Sequence, residues 1–203
     1  MALTERDKRM YDFLIMSKLP FSIMELAMMF YNDSGNIKSA YTISSRRINI
    51  MKKGGYLQKM AGKEFGSESL VYAIKPPSKQ LRHQRCLSKF ICQLMTNGFQ
   101  VLNVQTEKEF KDYGIRCDAL ITIKYNKMIY DIVTEVNLTT PYNQAYDVLV
   151  KDILERKLKF QHQVIFVNIS DFTLDLNQFE YVKPITIKSD MSTFNRFQWL
   201  FIK

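Results

Sequence analysis

A chain of 203 residues with a formal net charge of +9 and a hydrophobic fraction of 46% has room for one large domain or two small ones with buried cores. No run of about 18 apolar residues occurs, so no membrane-spanning helix is expected. The charged opening MALTERDKRMYDF lacks a signal peptide's apolar stretch, which points to the cytoplasm.

The first expected helix covers 4–17, with Thr4 as cap and Met10, Phe13, Leu14 and Ser17 at helical spacing. A short second helix, SIMELAMMFY, follows Pro20, with Glu25 at the capping-box position of Ser22. NDSGN leads to a third helix over about 36–53, which Gly54-Gly55 stops. YLQKMA, GKEFGSE and LVYAIK then read as strand, turn and strand.

Basic residues concentrate in this half. No acid lies between Asp33 and Glu64, a gap holding Lys38, Arg46, Arg47, Lys52, Lys53, Lys59 and Lys63. A second acid-free stretch, Glu68 to Glu107, holds Lys75, Lys79, Arg82, Arg85 and Lys89. Like charges this dense repel one another unless a polyanion is near, so both are candidate phosphate-binding faces. A solvated face would intersperse acids.

Three helices and a hairpin follow the order of a winged helix-turn-helix, and SSRRINIMKKGGYL resembles that family's recognition helix and first wing strand. With Ile48 and Met51 inward, Ser45, Arg46, Asn49, Lys52 and Lys53 fall on or near the outer face, beside Arg47. Arg and Asn suit base edges, whereas Ser and Lys suit phosphate. Lys63 sits at the wing tip, and Arg82 and Arg85 extend the basic surface. The resemblance implies double-stranded DNA as partner and is compatible with a homodimer. Winged helices also serve as protein-interaction modules, and that alternative stands.

KPPSKQ marks a stiff connector. After it, LRHQRCLSKFICQLMTN is an amphipathic helix, FQVLNV a strand and TEKEFKDY a charged turn or short helix. Strands are expected at 118–124 and 127–138 around the turn YNK, a helix at 142–159 and a buried strand in HQVIFVNI. YVKPITIK and FQWLFIK read as one or two further strands. Cys86, Cys92 and Cys117 show no CxxC spacing and only His83 and His162 accompany them, so reduced, buried thiols are expected and zinc is not.

In the second hairpin strand, alternation puts Asp131, Val133, Glu135 and Asn137 on one face. Asp118 precedes them in the facing strand. Two carboxylates converging there are able to hold a divalent cation, which activates water and steadies a phosphoryl transition state.

Residues 83–170, through RCDALITI, TEVNLTT and VIFV, resemble the PD-(D/E)XK nuclease-like fold. A winged helix before such a domain resembles the replication-relaxation family of plasmid and mobile-element proteins. The resemblance implies an α+β chain of two domains: a winged helix-turn-helix over 1–75, a linker over 76–80 and an α/β restriction-endonuclease-like domain over 81–203. It implies Asp118 and Glu135 as metal-site acids for Mg2+, Glu107 or Glu109 as an extra acid, and Asn137 where the family carries lysine. Lys151 or Lys157 would have to replace that charge, or else they are the outer face of an amphipathic helix. Three outcomes stay open: an active endonuclease, an inactive nuclease-like scaffold in a DNA-binding accessory factor, and an unrelated α/β module. No Gly-rich phosphate loop or nucleophile elbow supports other ligand chemistry.

Overall fold

The computed structural model describes residues 3–33, 35–62, 68–75, 80–110, 115–139, 160–172 and 184–201. The fold is mixed α and β with two sheets, and the chain divides into two units, Met1–Asn97 and Gly98–Lys203.

In the first unit, α1 (Glu5–Ser17) begins with a reciprocal capping box: the Asp7 amide donates to Thr4 Oγ1 at 3.2 Å and the Thr4 amide donates to Asp7 Oδ2 at 2.8 Å. Two donors that a helix start leaves open are thereby satisfied. β1 (Phe21–Ser22) runs into α2 (Ile23–Phe30), where Ser22 and Glu25 form the second box at 3.2 and 2.7 Å, as the sequence predicted. α3 (Ile37–Lys53) starts at Asn36, whose side chain accepts from the Ser39 amide, and stops at Gly54 and Gly55, the latter at φ 78°.

β2 (Gln58–Gly62) and β3 (Glu68–Tyr72) form the predicted antiparallel hairpin, and β1 pairs with the other edge of β3. The strand order is therefore β1-β3-β2. β1 was not expected, because two residues are too few to display alternation. Met10, Leu14, Leu26, Ile48 and Met51 are fully buried, so each helix contributes one apolar stripe to a shared core.

α4 (Leu81–Thr96) was expected to open the second domain, but it belongs to the first unit and packs on α2. The Arg85 guanidinium donates to both Glu25 carboxylate oxygens at 2.7 and 3.0 Å and to the Pro20 carbonyl at 3.2 Å. The Ser88 hydroxyl donates to the same carbonyl at 2.6 Å. Glu25 is buried and needs a cation, and α4 supplies it. The unit boundary thus falls at residues 97/98, not within 76–80. Residues 76–79 and Lys63 lie outside the described residues.

The second unit is a five-stranded sheet in the order β4-β5-β6-β7-β8: β4 (Gln100–Phe110), β5 (Ile115–Tyr125), β6 (Met128–Asn137), β7 (Gln163–Ser170) and β8 (Ile185–Ile187). β4, β5 and β6 pair antiparallel, whereas β6–β7 and β7–β8 are parallel. Asn126 and Lys127 turn the β5–β6 hairpin at φ 47° and 71°. Positive φ at both turn residues matches the twist of the flanking strands.

Two expectations fail here. TEKEF is neither turn nor helix but the far half of β4, which as an edge strand tolerates charged side chains. FQWLFIK is not a strand. α5 (Asn195–Gln198) and the turns after it bring Phe197 and Phe201 against Phe99 at ring-centroid distances of 5.6 and 5.0 Å. The expected helix at 142–159, with Lys151 and Lys157, lies outside the described residues.

Candidate nucleic-acid interface and carboxylate pair

α3 buries Ala40, Ser44, Ile48 and Met51, a stripe at three- and four-residue spacing. The opposite flank faces out: Arg46, Asn49, Lys52 and Lys53 are exposed and Ser45 half-buried. Tyr41, Thr42, Ser45, Arg46, Asn49 and Lys53 line an open groove of about 550 Å³ along this flank. Lys59 Nζ, from β2, donates to Asn49 Oδ1 at 2.8 Å, which holds the Asn49 amide in place with its NH₂ end turned away from the bond. Burial, and secondarily the nearby charge of Lys52, pulls the Lys59 ammonium below its ordinary pKa.

Two predicted interface residues are instead internal. Arg47 turns back to α1, where its guanidinium bonds both oxygens of the fully buried Asp7, Nε to Oδ1 at 3.1 Å and NH2 to Oδ2. The Tyr31 hydroxyl donates to Asp7 Oδ1 at 2.9 Å. Burial alone would raise the Asp7 pKa. The hydrogen bonds from Arg47, Thr4 and Tyr31 outweigh it and hold the carboxyl well below the usual range. Arg85 is the second, 2% exposed and committed to Glu25. Arg82 stays exposed on α4.

In the second unit, the β5–β6 register pairs Ala119 with Thr134, and the next rung sets Asp118 opposite Glu135. Asp118 Oδ2 accepts from the Val136 amide at 2.8 Å. Burial, then the Asp118 charge, then a hydrogen bond between the two side chains push Glu135 up to about 9. At neutral pH Glu135 therefore carries a proton. Burial and the same two acids also raise the neighbouring Cys117 thiol, which keeps it unreactive.

Asn137 lies on the same face, two residues on, and donates from Nδ2 to Asn168 Oδ1 at 2.6 Å. It brings no positive charge to the acids. Asn168, on β7 in register with Glu135, is 1% exposed, and among the described residues its own Nδ2 has no partner. Of the two candidate extra acids, Glu107 is ion-paired with Arg116 and Glu109 is exposed. Two carboxylates suit a divalent cation whose remaining positions are filled by water. Among the described residues no group of three or more His, Cys, Asp or Glu side chains is placed to hold a metal.

Sequence reasoning missed a further polar set on the same face. Asp131, buried in β6, accepts from Thr122 Oγ1 at 2.7 Å and faces His162 Nδ1 at 3.1 Å. Its signal was an acid amid apolar residues at the same alternation as Glu135, with a histidine just before the strand that pairs alongside.

No protein-family model matches this chain, and comparison with curated proteins and with solved structures also found no match.

Proposed function

We propose that this chain binds double-stranded DNA through the outer flank of α3, acting as a winged helix-turn-helix. The observation that carries this is the row Ser45, Arg46, Asn49 and Lys53 along one open groove, in a stretch with no acid from residue 34 to residue 63. The order helix, strand, helix, helix and two further strands, with the first strand pairing on β3, supports it. In this reading Arg46 and Asn49 meet base edges in the major groove, and Ser45, Lys52 and Lys53 meet phosphates. Arg47 and Arg85 have no part in the contact. The resemblance to the replication-relaxation family extends the proposal to an accessory or regulatory factor of plasmid or mobile-element replication, transfer or transcription, acting on paired half-sites as a dimer.

The test is duplex binding followed by fluorescence anisotropy over a salt series. Arg46→Ala with Asn49→Ala is expected to weaken binding by about tenfold or more, since each good base contact contributes about 1–3 kcal/mol. Lys53→Ala is expected to lower the slope of log K against log salt by about one. Wild-type affinity and slope in these variants would reject the interface.

The convergence of Asp118 and Glu135 favours a second reading, a Mg2+-dependent endonuclease with these carboxylates as ligands. When bound, the cation would supply an activated water and offset charge at phosphorus. Under this reading supercoiled plasmid is nicked with Mg2+ or Mn2+ and the nicking disappears in Asp118→Ala. Intact plasmid with both metals eliminates it.

A further inference from the structure

Beyond the α3 flank and the acid pair, the second unit contains a cavity of about 360 Å³, lined by Asn103, Gln105, Lys108, Phe110, Phe160 and His162 among others. It opens on the sheet face that carries Asp118 and Glu135, since Thr122 pairs with Asp131 and Leu120 with Val133 at the same alternation. Thr122 stands four residues along β5 from Asp118, roughly 13 Å at strand spacing.

Its wall is fixed from beneath. Asp131, 6% exposed, uses one carboxylate oxygen on the Thr122 hydroxyl and the other on His162 Nδ1. The imidazole is thereby locked with its proton on Nδ1, and Nε2, an acceptor, has no partner among the described residues. Among the described residues, the Asn103 and Gln105 amides and the Lys108 ammonium have no hydrogen-bond or ion-pair partner. The Phe110 and Phe160 rings meet edge to face with centroids 6.0 Å apart, and Lys108 Nζ lies 5.6 Å from the Phe110 centroid.

We propose that this cavity binds one nucleotide, its base against Phe110 and Phe160, its base edge on the Asn103 and Gln105 amides and on the accepting Nε2 of His162, and its phosphate on Lys108. Aromatic rings accept the face of any base, and side-chain amides pair with base edges. Lysine serves phosphate as a point charge. The volume falls at the small end of ligand sites, about 300–1,000 Å³, and suits one nucleotide rather than a duplex. An apolar ligand would strand the amides and the ammonium, whereas a simple anion would leave both phenyl rings without a role. The site is separate from the duplex contact on α3 and stands or falls without it.

The experiment is calorimetric titration of the full chain with the four deoxynucleoside 5′-monophosphates, with inorganic phosphate, and with a short oligothymidylate. The monophosphates are expected to bind saturably and phosphate alone not to. Gln105→Ala and Lys108→Ala, half-buried positions whose melting temperatures should equal wild type, are expected to weaken binding by about tenfold or more. The nitrogen resonance of His162 Nε2 should move on adding nucleotide to wild type and stay in place in Lys108→Ala. Tighter binding of the oligothymidylate than of thymidine monophosphate, lost in the same variants, identifies the ligand as a nucleotide of a single strand. Equal affinity identifies it as a free nucleotide. No saturable binding, equal binding of inorganic phosphate, or wild-type affinity in both variants overturns the proposal. Arg46→Ala is expected to keep nucleotide binding and Gln105→Ala to keep duplex binding, so failure of one site does not mimic failure of the other.

Discussion

Arg46 and Arg47 are neighbours with opposite fates. Arg47 neutralises Asp7, which is fully buried, while Arg46 is exposed on the groove. Removing one partner of a buried ion pair typically costs about 3–5 kcal/mol, because the other charge is left in an apolar setting. Arg47→Ala is therefore expected to destabilise the first unit by about 3 kcal/mol in denaturant melts, and Arg46→Ala by under about 0.5 kcal/mol. Equal effects would refute the structural role of Arg47. Its partner lies 40 residues away and that of Arg85 lies 60 away, so local charge patterning had no means of pairing them. One local signal existed: Arg47 follows the buried Ser44 by three and adjoins the buried Ile48. Glu135 gives a second residue-scale expectation. Its pKa is raised in the folded chain, so its contribution to stability is complete below the ordinary 4.5 and is lost as pH rises towards about 9. Stability of the second unit should fall across that window, and Glu135→Gln should flatten the fall; an unchanged pH profile in Glu135→Gln contradicts the raised Glu135 pKa.

At the scale of elements, whatever local chemistry determines was legible. The Thr4 cap, the Ser22–Glu25 capping box, the glycine stop of α3 and the β5–β6 turn depend on residues within four positions of each other. Alternation also placed Glu135 and Asn137 on one face, but it could not disclose that Asn168 from β7 would occupy Asn137. β4 was cut short because its outer half carries the charges an edge strand can leave in water. The C-terminal aromatics suggested a strand by composition, yet Phe194, Phe197 and Phe201 recur at helical intervals of three and four. α4 was assigned to the wrong unit for want of its contact with Glu25. A fragment of residues 1–97 is accordingly expected to fold with a cooperative melt, and one of residues 1–80, which strands Glu25 without Arg85, to be far less stable by circular dichroism. A cooperative, equally stable 1–80 fragment would show that α4 is dispensable.

For the whole molecule, the excess of positive charge is unevenly used. Part of it is spent internally on Asp7 and Glu25, so a raw count of Lys and Arg overstates the surface offered to a polyanion. Of what remains, an acid-free share lies along α3 and at Arg82 on α4. Both sheets depend on partners distant in the sequence: Phe21 of β1 meets Val71 of β3, and the last three strands of the second sheet are joined by crossovers. β6 pairs in parallel with β7 across residues 138–162, and β7 with β8 across residues 171–184. Parallel pairing must close such crossovers before any rung is gained. During synthesis the first unit has its last helix by residue 97, well before β7 is made. α3 is thus held by α1 and α2 while the second sheet still lacks two strands, and the first unit should complete before the second as the chain is made.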